Sequence, residues 1–96
     1  MRKYEAMFIV KPDLAEDEKK ALFNQLGDAV IKNKGEVSQA GVWAEKRKIH
    51  FRLKKYDEVT YYLMSFSLTD PLAIREIKRI YRLNENILRV LITRPE

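Results

Sequence analysis

Cysteine is absent from the 96 residues. No disulfide framework, thiolate zinc site or cysteine nucleophile can form, and a reducing compartment, the cytoplasm, is the expected home. Histidine occurs once, as His50 between Ile49 and Phe51, where a solvated strand position outweighs a general base. Glycine and proline number three each, which leaves no glycine-rich turn to hold a phosphate or a small ligand. Near the start the chain is apolar only from Ala6 to Val10, after Glu5, so neither an export signal nor a membrane span is expected. No nucleophile, base and oxyanion donors converge, and the acids at Asp13, Glu16, Asp17 and Glu18 have no histidine beside them. The sequence therefore predicts no catalytic residue, no metal site and no cofactor.

What is present describes a folded, highly charged chain, with 46% hydrophobic and 34% charged residues. A chain of this length buries somewhat more than ~60% of the surface its unfolded form exposes and would starve a second core; one domain over residues 1–96 is expected. The formal net charge is +5, which favours a polyanionic partner. Its distribution says more than its total. The acids cluster early, whereas Lys46, Arg47, Lys48, Arg52, Lys54 and Lys55 fall within ten residues that contain no acid.

Residues 3–11 alternate loosely and read as a strand ended by Pro12. Asp13 as N-cap and Glu16 at N3 form a capping box for a helix whose Leu22, Leu26, Ala29 and Val30 recur at helical spacing; Gly35 supplies the left-handed stop near Lys34. Residues 36–53 then change period toward two. Ile49, Phe51 and Leu53 oppose Lys48, His50, Arg52 and Lys54, while Trp43, Glu45 and Arg47 share the parity of the apolar set, which predicts a bulge between Gly41 and Arg47 that resets the faces. Tyr56, Asp57 and Glu58 read as a turn, and residues 59–68 as a central strand with Tyr62, Met64 and Phe66 in the core and Tyr61 exposed. Asp70 and Pro71 open a second helix with Ala73, Ile77 and Ile80 inward. Asn84, Glu85 and Asn86 end it, and residues 87–93 form the last strand, with Leu88, Val90 and Ile92 opposite Arg89.

The order β-α-β-β-α-β predicts an α+β, ferredoxin-like fold, a four-stranded antiparallel sheet with two helices packed on one face. In it the basic strand is an edge, where lysine and arginine also serve to prevent sheet-to-sheet pairing. Two rivals on this topology fit poorly. An acylphosphatase-like site needs free amides between the first strand and helix, where Pro12 removes a donor and the acids repel an anion. An RRM needs glycines and a leading basic residue in its third strand, and Thr60-Tyr61-Tyr62-Leu63-Met64-Ser65-Phe66 has neither.

Three segments, Met1-Arg2-Lys3-Tyr4-Glu5, the run from Arg47 through Ile49 and Leu53 to Lys55, and Tyr81-Arg82-Leu83-Asn84-Glu85-Asn86-Ile87-Leu88-Arg89, occur in the right order and spacing to resemble the bacterial small-subunit ribosomal protein six family. The resemblance covers the whole chain. It implies a structural, ribosomal protein that binds the central domain of small-subunit rRNA together with small-subunit protein eighteen. Arg2, Lys3, Arg47, Lys48 and Arg89 fall on its basic positions, and the charge cluster adds Lys46 and Lys54; phosphate contact is the expected role of all seven. Arg82 and Asn84 also match, with a structural use at a helix end expected for both. Trp43 is expected in the core, with an alternative as a protein-partner anchor. The chain departs from the family pattern at Arg52, where proline is usual, at His50, where a small residue is usual, in the spacing of Trp43, and in carrying no long charged tail. Arg75, Lys78, Arg79 and Arg82 read as a solvated face of the second helix, with a second rRNA contact as the alternative. The alternative to RNA binding is a protein-interaction module using the basic edge.

Overall fold

Alternating apolar residues, a proline break and a helical stripe recur twice along the chain, and the fold follows them. The computed structural model describes residues 2–95, with Arg52 described by its backbone only; Met1 of the N-terminal signature, Glu96 and the Arg52 side chain, which stands where the family has proline, lie outside the described residues. The elements are β1 (Arg2–Val10), α1 (Glu16–Lys32), β2 (Glu36–Leu53), β3 (Tyr56–Leu68), α2 (Ala73–Arg82) and β4 (Ile87–Thr93). The strands form one antiparallel sheet in the order β2-β3-β1-β4, which is the ferredoxin-like arrangement, with β2 and β4 at the edges.

One face of the sheet carries both helices. Tyr4, Ala6, Phe8 and Val10 from β1 and Tyr62, Met64, Phe66 and Leu68 from β3 meet Leu22, Leu26, Ala29 and Val30 of α1 and Ile77 and Tyr81 of α2. Phe8 sits edge-on to Tyr81 at 4.9 Å, and Phe23 stacks on Tyr62 at 4.0 Å. Burying each such side chain stabilises by about 1.5–3 kcal/mol. The Tyr81 hydroxyl donates to the Leu26 carbonyl at 2.6 Å, joining the two helices inside the core, and burial pushes its phenol well above the ordinary range.

Several local expectations are corrected. The first helix is capped at Ala15 rather than Asp13, because Glu18, not Glu16, reaches back to accept the Ala15 amide at 3.0 Å. The left-handed residue after the helix is Lys34, φ 62°. Gly35 is required for space: a Cβ there would lie 2.6 Å from the Ser67 carbonyl oxygen and 2.7 Å from Val30 and Leu68 side-chain atoms. In the second helix Asp70 accepts the Leu72 amide at 3.0 Å and regular turns begin at Ala73. Tyr81 joins Ile77 as its fully buried pair, with Ala73 and Ile80 only partly covered. The β2–β3 turn lies at Lys54 and Lys55, with Lys54 left-handed at φ 58°. Tyr56, Asp57 and Glu58 are strand.

That last change gives the hairpin its shape. The β1–β3 ladder ends at Val10 opposite Thr60, whereas β2 and β3 stay paired through Arg47–Val59, Lys48–Glu58 and Leu53–Tyr56. Residues 48–58 therefore form a two-stranded ribbon beyond the end of β1. Phe51, which the alternation sets on the apolar side with Ile49 and Leu53, is 53% exposed on it.

Candidate RNA-contacting surface

The helix-free face of the sheet can be assembled row by row from the registers. Leu91, Met7, Leu63 and Gly41 lie side by side across the four strands. Thr93, Glu5, Ser65 and Gln39 form a polar row on one side of them, and Arg89, Ile9 and Tyr61 a row on the other. These rows leave Leu91 56% and Leu63 40% exposed.

The third row continues onto β2 through side chains. Trp43 meets Tyr61 edge-to-face with ring centres 5.4 Å apart, and the Arg47 guanidinium lies 5.0 Å from the Trp43 ring centre. A band of Arg89, Ile9, Tyr61, Trp43 and Arg47 thus crosses the sheet. It has a cation at each end and an apolar middle, and β4 and β2 lie three strand spacings, about 14 Å, apart. Trp43 is 57% exposed, so the core expectation for it is wrong and its alternative as a surface anchor remains. The reason is the expected bulge. The β2–β3 register shifts between Val42 and Ala44 and again between Ala44 and Arg47, which turns Trp43 out onto the open face.

The bulge also organises the basic cluster. Lys46 adopts φ 47°, and its amide donates to the hydroxyl of Thr60, a buried polar residue, at 3.4 Å. Glu45 is drawn away toward α1, where Lys19 binds it at 2.6 Å and Glu16 at 3.1 Å. The hydrogen bond from Lys19 holds the Glu45 carboxyl below its ordinary range, and donating to Glu45 and Glu16 holds the Lys19 ammonium above its own. With Glu45 occupied, Lys46, Arg47 and Lys48 stand exposed on consecutive positions of an edge strand. One acid does approach: Glu58 is directly opposite Lys48, a neighbour invisible in the local sequence.

The expected phosphate contacts do not form one patch. Lys46, Arg47, Lys48 and Arg89 share the end of the sheet nearest the ribbon, and Lys54 occupies the ribbon tip. Arg2 and Lys3 pair with Leu68 and Ser67 at the opposite end; six residues of strand separate Lys3 from Ile9, about 20 Å. Of the two helix-end residues, Asn84 is structural: its carboxamide accepts the Asn86 amide at 3.0 Å and donates to Gln25 at 3.2 Å. Arg82 is exposed and has no side-chain hydrogen bond or ion pair among the described residues.

In the loop between β1 and α1 the Lys11 amide donates to the Asn86 carbonyl at 3.1 Å and the Ala15 amide to Glu18 at 3.0 Å, while Pro12 has no amide hydrogen to offer an anion. Among the described residues no three His, Cys, Asp or Glu side chains group as a metal site, and no helix is long and apolar enough to cross a membrane.

Comparison with known proteins agrees with the fold. The sequence model of the family described as Ribosomal protein S6 matches residues 3–94. The small ribosomal subunit protein bS6 of Thermoanaerobacter pseudethanolicus is 38% identical over 96 residues, covering all of this chain and 99% of that protein. That of Lactobacillus acidophilus is 36% identical over 87 residues, 91% of this chain and 88% of its own length. Among solved structures, 30S ribosomal protein S6 from Thermotoga maritima superposes with a TM-score of 0.87 at 27% identity, over 98% of this chain and 87% of the other.

Proposed function

Since this chain belongs to the ribosomal protein S6 family, whose members are structural, non-enzymatic proteins of the small ribosomal subunit, we propose that it binds the central domain of small-subunit rRNA in the bacterial cytoplasm together with small-subunit protein eighteen. The observation that carries the reading is the bulged edge of β2. Lys46, Arg47 and Lys48 are exposed there while the adjacent Glu45 is held by Lys19. Phosphate contacts of this kind fix orientation and supply salt-dependent affinity, with little reading of base sequence. Arg89 and Lys54 extend the contact at the same end of the sheet. Arg2 and Lys3, at the other end, reach a different stretch of backbone.

In this reading Trp43 faces the partner protein. An exposed indole braced by Tyr61 and covered by an arginine has the character of an interface anchor, and the apolar row of Leu91, Met7 and Leu63 beside it offers a dry surface. The same features favour the second reading, a protein-interaction module without RNA contact, whose complex survives high salt.

Binding to a central-domain rRNA fragment, measured with and without protein eighteen across a salt series, separates the two. The RNA reading expects tight binding only with the partner present, and a log–log salt slope that falls by about one for each of Arg47→Ala and Lys48→Ala. Unchanged affinity and slope in both variants would return the strand to protection of a sheet edge.

A further inference from the structure

On the far side of the molecule from the open sheet face, α2 presents a strip of positive charge that the reading above does not use. Its ten residues contain Arg75, Lys78, Arg79 and Arg82 against the single acid Glu76, a net charge of +3 (four minus one). In α1, by contrast, Lys19, Lys20 and Lys32 are set against Glu16, Asp17, Glu18 and Asp28, a net charge of −1 (three minus four). Glu76 is taken by Arg79, whose Nε donates to it at 3.0 Å. Arg75, Lys78 and Arg82 have no acid within ion-pair distance among the described residues.

Two features distinguish this strip from an ordinary solvated helix face. Residues 75, 78 and 82 follow the spacing of three and four that brings side chains together on one side, so the cations repel one another where α1 intersperses acids. Arg75 also lies in the first turn of α2, next to the positive end of the helix dipole, where a cation is unfavourable and an anion favourable. Dipole compensation explains Arg82 in the last turn; it does not explain Arg75 or Lys78. Lys78 is partly buried, and a lysine can cover apolar surface with its stem while its ammonium stays in water. From Arg75 to Arg82 the strip extends about 10 Å at helical rise, long enough for more than one phosphate.

Resting on the reading that the chain binds rRNA, we propose that Arg75, Lys78 and Arg82 form a second phosphate-contacting surface, so that the protein bridges two RNA segments. The strip is opposite Ile77 and Tyr81, which pack toward the sheet, and the molecule is 22 Å through its smallest extent. The run of backbone that meets β2 cannot also meet α2 without turning around the protein.

The test uses the full chain with protein eighteen and the central-domain fragment, comparing the triple variant Arg75→Gln, Lys78→Gln, Arg82→Gln with Lys46→Gln, Arg47→Gln, Lys48→Gln. Circular dichroism and thermal midpoints establish that both are folded. The α2 variant is expected to bind roughly 10- to 100-fold more weakly at moderate salt, to lower the salt slope by about two to three, and to lose hydroxyl-radical protection over a segment that the β2 variant still protects. Loss only with the β2 variant leaves the strip a solvated face and overturns the proposal. Weaker association with protein eighteen in the absence of RNA also overturns it, because the cations would then face a protein. If neither variant weakens RNA binding, the underlying RNA reading fails with it.

Discussion

Replacing each of the three glycines by alanine should give opposite results at different sites, although the chemical change is the same. At Gly35 the new methyl would lie 2.6 Å from the Ser67 carbonyl oxygen, inside the 3.0 Å that real Cβ atoms essentially never breach, and 2.7 Å from Val30 and Leu68. Ser67 is paired with Lys3 on one side and Glu36 on the other, so its carbonyl cannot withdraw without disturbing two ladders. Overpacking of this kind costs about 1–3 kcal/mol, against an unfolded-state gain of about 0.4–1 kcal/mol for Gly→Ala. The net loss is about 1–2 kcal/mol, or roughly 4–16 °C in midpoint for a chain of this size. At Gly41 nothing lies within 4 Å and at Gly27 the nearest atom is Val37 Cγ2 at 3.9 Å, with positive φ at neither. Both should be stabilised by about 0.5–1 kcal/mol. Chemical denaturation of the three variants is the assay. A Gly35→Ala protein as stable as its parent would show that the helix-to-β2 approach is looser than these distances require.

Tyr81→Phe removes the hydroxyl that donates to the Leu26 carbonyl, which keeps its helical amide partner, and should cost about 0.5–1.5 kcal/mol in chemical denaturation; a neutral result would mean that the hydroxyl does not hold the helices together. Because the Glu45 carboxyl is held below its ordinary range, its contribution is present above that range and fades as pH falls through the lowered value. Glu45→Gln should therefore flatten the acid limb of the stability–pH curve, and an identical limb in parent and variant would remove the Lys19–Glu45 link from the account. Trp43→Ala should change stability little, by less than about 1 kcal/mol for an exposed side chain, yet weaken association with protein eighteen measured by calorimetry; a large loss of stability would make the indole structural instead.

The architecture was legible because its carriers are local: the alternation in β1 and β3, the helical stripe of α1, and the switch of period before the basic strand. The bulge was legible too, from the charged Glu45 and Arg47 falling on the parity of the apolar residues. What escaped was set by tertiary geometry. Pro12 and Asp13 look like the entry to a helix, but the helix waits until Glu18 can close on Ala15. Gly35 reads as a left-handed stop, whereas its smallness answers to Ser67 and Leu68 of a distant strand. Trp43 was assigned to the core on hydrophobicity, and no local signal tells which way a bulge turns a ring. The family resemblance puts Arg2 and Lys3 together with the β2 cations; only the register shows them at opposite ends of the sheet.

The two-stranded ribbon at residues 48–58 has a kinetic consequence. Isolated hairpins are marginally stable in water, and this one projects past the rung at which β1 stops supporting β3. Its amides should open and exchange with solvent at a free-energy cost well below that of global unfolding, while those of the four-stranded part exchange only with the whole molecule. A surface that opens so readily is ordered by whatever it grips. Part of the binding free energy is then used in stiffening the ribbon, and slowed exchange at its tip would register capture even where no static contact changes.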